Sequence, residues 1–225
     1  MGAAIGEILP FAVGVAISPL PIIAVALMLV TPQASRNGPA FLVGWVLGLA
    51  VVGTIVLLVA APTDASEGGE PAAWVDWLKL LLGVLLLLVA TRQWRGRPHE
   101  GEEAAMPAWL GAVERFTAPK ALAAGSVLAA ANPKNLLLAV GAAAAIAQTG
   151  ISGGEQAVAY GAFAFIGTLG VAAPVVVFFA LGDRAPLLLG RLKDWLAGHN
   201  AAIMTVLCLV IAAKLLGDAL RGFAG

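Results

Sequence analysis

The feature of this sequence that most constrains its fold is a set of long apolar stretches with few charged residues. Of its 225 residues, 60% are hydrophobic and 12% are charged, whereas about a quarter of a typical soluble domain is charged. A helix needs about 20 apolar residues to cross the hydrocarbon core of a bilayer. Six stretches are near or above that length: Ile5–Val30, Ala40–Ala61, Trp74–Thr91, Ala121–Ala147, Ala157–Leu181 and Ala201–Leu220. The sequence therefore predicts an all-α integral membrane protein with six transmembrane helices.

The loops between these stretches predict the orientation of the protein. Nine basic residues lie in the first, third and fifth loops: Arg36, Arg92, Arg95, Arg97, Arg115, Lys120, Arg184, Arg191 and Lys193. The two other loops, Pro62–Ala73 and Gln148–Gln156, contain no Lys or Arg. Basic loops stay in the cytoplasm, so we expect a multi-pass protein with both termini outside. The first stretch carries Glu7 and lacks a basic n-region, so we expect it to be retained as helix 1.

Several classes of function are excluded by residues that the sequence lacks. Cys208 is the single cysteine, so no intrachain disulfide and no dithiol chemistry can form. His99 and His199 are too few and too far apart to indicate a metal site. The formal net charge is zero, which suggests no nucleic-acid partner. The sequence contains no phosphate-binding glycine loop, no nucleophile elbow and no intramembrane acid pair, so we expect neither an enzyme nor a cofactor.

Two motifs are predicted to interrupt helices 1 and 4. Ser18-Pro19-Leu20-Pro21 lies in the middle of helix 1, and Asn132-Pro133-Lys134-Asn135 lies in the middle of helix 4. Proline removes a backbone donor and clashes with the preceding turn, so both helices should break or kink. The motifs occupy matching places in two halves of three helices each, and such halves must insert with opposite orientation. This predicts two inverted repeats, residues 1–92 and 120–225, joined by a cytoplasmic linker over 93–119.

Interrupted helices at matching positions of inverted halves are a pointer to a transporter site. Lys134 should lie near the bilayer midplane, about 20 Å from the cytoplasmic start of its helix. A lysine at that depth is costly and needs a cavity or a partner. It would be a counter-charge for a carboxylate or phosphate, or a proton-linked switch; alternatively, it is a structural lysine satisfied by carbonyls. The predicted substrate-binding residues are those of the two motifs: Ser18, Pro19, Pro21, Asn132, Pro133, Lys134 and Asn135.

Charged pairs near the outer helix ends are secondary candidates. Lys214 and Asp218 are four residues apart in helix 6, and Asp76 and Lys79 are three apart in helix 3. Either pair could instead anchor its helix by reaching the interface. Short amphipathic stretches are also predicted in two cytoplasmic loops, around Trp109 to Phe116 and Leu188 to Trp195, where both could lie in the headgroup layer.

The same motifs carry a resemblance to a known family. The resemblance is to the GAP family, the glycopeptidolipid- and sulfolipid-addressing proteins of actinobacteria. It is carried by Ser18-Pro19-Leu20-Pro21, Thr31-Pro32, Asn37-Gly38, the Trp109–Lys120 segment, Ala131-Asn132-Pro133-Lys134-Asn135 and Lys214-Leu215-Leu216-Gly217-Asp218. That family is placed in the lysine-exporter (LysE) superfamily. The resemblance implies an inner-membrane exporter with inverted three-helix repeats that moves cell-envelope glycolipids or their precursors toward the surface.

Three hypotheses about function remain open at this point. The first is a secondary exporter or flippase for an anionic lipid, glycolipid or cell-envelope precursor. The second is an amino-acid or small-solute exporter of the lysine-exporter type. The third is a non-transporting accessory subunit of a larger lipid-export transporter, docked through its cytoplasmic linker. The expected partners are membrane lipids or a glycolipid substrate, and the glycine-rich helices permit a homodimer without requiring one.

Overall fold

The computed structural model describes residues 1–60, 74–97 and 108–224, and these residues form an all-helical protein. The predicted outer loop Pro62–Ala73 and His99 lie outside the described residues. Eight α-helices follow in chain order: α1 Gly2–Ala16, α2 Pro19–Leu29, α3 Ala34–Ala60, α4 Trp74–Arg95, α5 Ala118–Ala130, α6 Pro133–Ala147, α7 Gly153–Leu181 and α8 Ala185–Ala224. Two 3₁₀ helices, Ala108–Arg115 and Gly182–Arg184, precede α5 and α8.

Between three and five membrane spans can be counted in the described residues. Ala34–Val59, Asp76–Arg95 and Gly153–Phe223 are long and apolar enough on their own. Two further spans arise if α1 with α2 and α5 with α6 each count as one bent helix. The prediction of an all-helical protein with several membrane spans is confirmed.

Both predicted helix interruptions are present, and proline explains where each falls. α1 and α2 meet at 48°, and α5 and α6 meet at 61°. Ser18 and Asn132 have extended backbone conformations and precede Pro19 and Pro133, the first residues of α2 and α6. The residue before a proline is pushed out of the helical region, while proline itself suits the first turn of a new helix. Each motif therefore ends one helix and starts another.

Close packing across the bundle depends on glycines that admit a neighbouring backbone. A Cβ at Gly44 of α3 would overlap the Leu122 carbonyl of α5, and a Cβ at Gly170 of α7 would overlap the Ala16 carbonyl of α1. Small residues allow helices in a membrane to approach in this way. The main packing pairs are α3 with α5, α1 with α7, and α4 with α8.

The structure differs from the sequence prediction most at α8. Helix 6 was expected to begin at Ala201, after a separate amphipathic stretch, but α8 is continuous from Ala185 over 40 residues. Its length of about 60 Å is twice the hydrocarbon thickness of a bilayer. The expected headgroup stretch is thus the first part of one long helix, since no residue after Pro186 interrupts it.

The other amphipathic stretch forms the 3₁₀ helix Ala108–Arg115. Leu110 and Val113 are buried, whereas Trp109 is partly exposed. This short helix contacts α2, and the Asn37 side chain at the start of α3 donates to the Phe116 carbonyl oxygen at 2.7 Å. The segment is therefore packed onto the bundle.

Candidate functional site

The two helix interruptions meet inside the bundle and bring the polar residues of both motifs together. Ser18, Lys134 and Asn135 are each 2% exposed or less, although they come from the two halves of the chain. We call Ser18, Asn132, Lys134 and Asn135 the central cluster. Its members start α2 and α6, so the broken geometry of each helix decides where they point.

Lys134 binds the end of the opposite broken helix. Its Nζ donates to the Gly14 carbonyl oxygen at 2.6 Å and to Ser18 Oγ at 2.6 Å. Gly14 lies in the last turn of α1, where carbonyl groups lack a partner within the helix. The ammonium group therefore satisfies a carbonyl that the interruption leaves free.

Asn135 likewise satisfies a free carbonyl at the end of a helix, in this case the broken helix of its own half of the chain. Its Nδ2 donates to the Leu128 carbonyl oxygen at 3.1 Å, in the last turn of α5. Its Oδ1 accepts from Ser18 Oγ at 2.8 Å. Asn132 caps α6, since its Oδ1 accepts from the Lys134 backbone N–H. Ser18 thus joins Lys134 to Asn135, and the cluster joins both interruptions.

The electrostatics of the central cluster favour an anion. Among the described residues, no carboxylate forms an ion pair with Lys134. The N-termini of α2 and α6 add the positive ends of two helix dipoles. An ammonium group has three donors, and two of them are used by Gly14 and Ser18. Within the described residues the third donor has no acceptor, so it is available to a ligand.

The central cluster is closed in this structure. Lys134 is 2% exposed, so its ammonium group does not face an open cavity. A groove of about 370 Å³ between α4 and α6 reaches the interruption, where Ala131 and Pro133 line it. Leu88 lies along the groove, and Arg92 is the charged residue in its lining. A ligand could reach Lys134 only after the helices around the interruptions move.

A second polar site lies where α1 and α4 begin and where α6 and α8 end. A cavity of about 570 Å³ is lined there by polar and charged side chains of α1, α4 and α8 and by Gln148 and Thr149, which follow α6. We call this cavity and the charged residues around it the charged vestibule. Glu7, Asp76, Lys79, Asp218 and Arg221 line the cavity, and Lys214 is bonded to Glu7 and Asp218 of that lining.

Hydrogen bonds and ion pairs connect the vestibule residues across helices. Lys214 Nζ lies 2.5 Å from Glu7 Oε2 and 2.7 Å from Asp218 Oδ2. Arg221 lies 2.7 Å from the other Asp218 oxygen. Elsewhere in the lining, Lys79 donates to the Gln148 side chain. Gln148 in turn donates to Asp76 Oδ1 at 3.2 Å.

Comparison with protein families identifies the family to which a chain with these two sites belongs. A family model described as "Sap, sulfolipid-1-addressing protein" matches residues 8–221, which include both interruptions and both polar sites. The chain belongs to this family. No curated protein and no solved structure matches it. Membership of the sulfolipid-1-addressing protein family, together with the apolar helices, makes the chain a lipid-related membrane protein.

The structure of this sulfolipid-1-addressing family member brings together some of the residues identified from sequence, but not all of them. Ser18, Asn132, Lys134 and Asn135 converge, whereas Pro19, Pro21 and Pro133 shape the helix starts. Lys214 and Asp218 form a different site and do not contact the central cluster through any described hydrogen bond. The role of all these residues in substrate binding stays a prediction.

Sequence reasoning missed two partners in these sites. The Gly14 carbonyl was not identified, although carbonyls freed by the prolines were expected to bind Lys134. Glu7 was not identified as a partner of Lys214, which lies 207 residues away. The presence of a carboxylate in an otherwise apolar first helix was the signal that could have found it.

Proposed function

We propose that this protein is a secondary exporter or flippase that moves an anionic lipid, glycolipid or cell-envelope precursor across the bacterial inner membrane. The observation that carries the proposal is Lys134, a buried cation bound to a carbonyl at the end of one broken helix from the start of another. The family name refers to the addressing of a sulfolipid, and a sulfolipid has an anionic headgroup. The proposed substrate-binding residues are the central cluster with the prolines that shape it.

Six spans in two inverted halves are part of this proposal. Gly153–Phe223 has 71 residues, which would extend over about 100 Å as one helix. Its division into α7 and α8, together with the two bent pairs, supports six spans. The packing supports inverted repeats, because α1 packs on α7 as α5 packs on α3. In each case the first half of a broken helix contacts the middle helix of the other half.

The orientation follows from the same division. Arg36 and Lys120 lie in the first turns of α3 and α5, and Arg92 and Arg95 lie in the last turn of α4, whereas the charged vestibule lies where α4 begins. We therefore place the vestibule and both termini outside. Placement in the lysine-exporter superfamily agrees with this arrangement and stays part of the proposal.

The closed central cluster fits one state of an alternating-access cycle. An anionic headgroup would replace Gly14 and Ser18 as partners of the Lys134 ammonium, while Asn132 and Asn135 would offer amide hydrogen bonds. Exchanging these partners would release the end of α1 from the start of α6. Motion of one half against the other would then expose the site to each side in turn. Without a nucleotide-binding motif, the energy would come from an ion gradient, the substrate gradient or a partner.

Transport by purified protein in vesicles tests this proposal. The full chain is reconstituted into phosphatidylcholine vesicles that contain phosphatidylglycerol with a fluorescent acyl chain, and its movement between leaflets is followed by dithionite quenching. We expect Lys134→Ala to lower the rate at least tenfold, because the anion loses its counter-charge. Lys193→Ala, which removes a lysine from the basic end of α8, should leave the rate unchanged. Movement by Lys134→Ala at the wild-type rate would show that the site is wrongly assigned.

The burial of Lys134 also favours an alternative, a non-transporting accessory subunit. A lysine whose described partners are the Gly14 carbonyl and the Ser18 hydroxyl could simply hold two broken helices together. Wild-type protein that moves no labelled lipid alone, but co-purifies with a larger transporter, would support that alternative. An amino-acid or small-solute exporter would instead show efflux of labelled amino acids from the same vesicles.

A further inference from the structure

The charged vestibule contains equal numbers of opposite charges around a cavity large enough for a headgroup. Lys79, Lys214 and Arg221 supply three positive charges, and Glu7, Asp76 and Asp218 supply three negative charges. Its volume of about 570 Å³ lies within the range of small-molecule sites. The Lys79 and Lys214 side chains are 10% and 21% exposed. Burying a charge beside apolar helices is costly, so these two cations need an explanation beyond anchoring.

The three carboxylates are not held equally. The Asp76 and Asp218 side chains are 14% and 13% exposed, and each has two partners in the vestibule. The Glu7 side chain is 47% exposed, and its one described partner is Lys214. Glu7 is also the one carboxylate in the vestibule that comes from α1. It can therefore leave Lys214 without disturbing the other two carboxylates.

We propose that the charged vestibule is a second anion-binding site, in which the sulfate or phosphate headgroup of a lipid replaces Glu7 on Lys214. Lys214 would donate to the tetrahedral oxyanion, and Arg221 and Lys79 would supply further charge-assisted hydrogen bonds. In the empty site, the Glu7 carboxylate occupies the position of the anion on Lys214 and keeps the site neutral. The role of this site in export rests on the proposed function, but the binding itself does not.

The position of the vestibule relative to the central cluster would place the second site on the path of the lipid headgroup. Glu7 and Gly14 are seven residues apart in α1, which corresponds to about 10 Å along the helix. Phe11 lies between them, fully buried, with Lys214 Nζ 5.6 Å from the centre of its ring. An anion bound by Lys214 would thus lie beside the part of α1 that leads to the Gly14 carbonyl and Lys134. Replacing Glu7 would also remove the ion pair that ties α1 to α8.

Thermal unfolding of the full chain in phosphatidylcholine nanodiscs tests the proposal. Sodium sulfate is titrated against sodium chloride at equal ionic strength, because a ligand that binds only the folded state raises the unfolding temperature. Sulfate should stabilise the wild type more than chloride does. Glu7→Gln removes the competing carboxylate, so the half-saturating sulfate concentration should fall about tenfold or more. Lys214→Gln should abolish the specific effect of sulfate.

Matched controls come from an ion pair at the other end of α8. Lys193 and Asp194 lie 3.0 Å apart there, so Lys193→Gln and Asp194→Asn make the same chemical changes outside the vestibule. Both should keep the wild-type response to sulfate. Lys214→Arg keeps the charge and should restore stabilisation by sulfate, which separates loss of the site from a folding defect.

Three results would overturn the proposal. In the first, sulfate and chloride stabilise the wild type equally. In the second, the sulfate effect is lost in Lys134→Ala and kept in Lys214→Gln, which would place the anion in the central cluster. In the third, adding phosphatidic acid to the nanodiscs leaves the sulfate response unchanged, which would exclude a lipid headgroup as the ligand. Loss of the sulfate response in phosphatidic acid nanodiscs is the expected result. None of these outcomes depends on transport through Lys134.

Discussion

The central cluster and the charged vestibule solve the problem of charge in an apolar protein in opposite ways. In the central cluster, one cation is bound by a helix-end carbonyl and a hydroxyl, with no described carboxylate as an ion-pair partner. In the vestibule, three cations are neutralised by three carboxylates around an open cavity. The first arrangement needs a helix end inside the bundle, because the carbonyls in the middle of a helix are already hydrogen-bonded within it. The second needs side chains from several helices to meet at one end of the bundle.

The difference suggests a division of roles. A site that lacks a carboxylate keeps an uncompensated positive charge for an anion, but it must be closed while empty. A site that carries its own anion can stay open, because Glu7 compensates Lys214 until a ligand arrives. Charge reversal, hydroxyl removal and salt should therefore act differently on the two sites.

The largest expected effect is that of charge reversal in the central cluster. Lys134→Glu places a carboxylate against the Gly14 carbonyl oxygen, where Lys134 now donates. A buried charge without a partner costs about 3–5 kcal/mol, so the variant should give little folded protein. Lys214→Glu also creates repulsion, but Arg221 remains beside Asp218 and water reaches the cavity. The yield of monodisperse protein on size-exclusion chromatography measures both. Equal yields would mean that the two sites are equally solvated.

A smaller effect is expected from removing the hydroxyl that joins the two halves of the central cluster. Ser18→Ala leaves Lys134 Nζ without one acceptor and Asn135 Oδ1 without its donor. An unsatisfied buried polar group costs about 1–3 kcal/mol, so the unfolding temperature should fall clearly. Thr205→Ala is the matched control: Thr205 is also buried, but its hydroxyl bonds Ala201 within its own helix. If both variants lose the same stability, Ser18 does not join the two halves of the cluster.

Local sequence was sufficient to locate the central cluster but not to describe its contacts. The interruptions follow from Pro19 and Pro133, whose effects on backbone conformation are local. The kind of partner for Lys134 follows from the same prolines. The contact between Ser18 and Asn135 spans 117 residues, and it depends on how the two broken helices cross. Spacing along the chain carries no information about that crossing.

The vestibule was less predictable from sequence because most of its charged residues form pairs that are only three or four residues apart. Lys214 with Asp218, and Asp76 with Lys79, are neighbours on one helix and look like helix anchors. Only the tertiary arrangement joins these pairs to Glu7 and Gln148, from two other helices. The length of α8 was also missed, because the amphipathic pattern around Arg191 suggested a separate segment although no residue there ends a helix. An amphipathic pattern indicates which face of a helix is polar, but it does not indicate where the helix begins.

The smallest expected effect is the salt dependence of the pair between Glu7 and Lys214. A double-mutant cycle with Glu7→Gln and Lys214→Gln should give a coupling free energy of about 0.5–1 kcal/mol at low salt, since solvent screens the half-exposed Glu7 carboxylate. At 1 M salt the Debye length is only about 3 Å, so the coupling should fall toward zero. A cycle with Ser18→Ala and Lys134→Met measures the central cluster, which is buried from solvent, and its coupling should not change with salt. Salt dependence in the second cycle would mean that water and ions reach Lys134 in the resting protein, and the closed description of the central cluster would then be wrong.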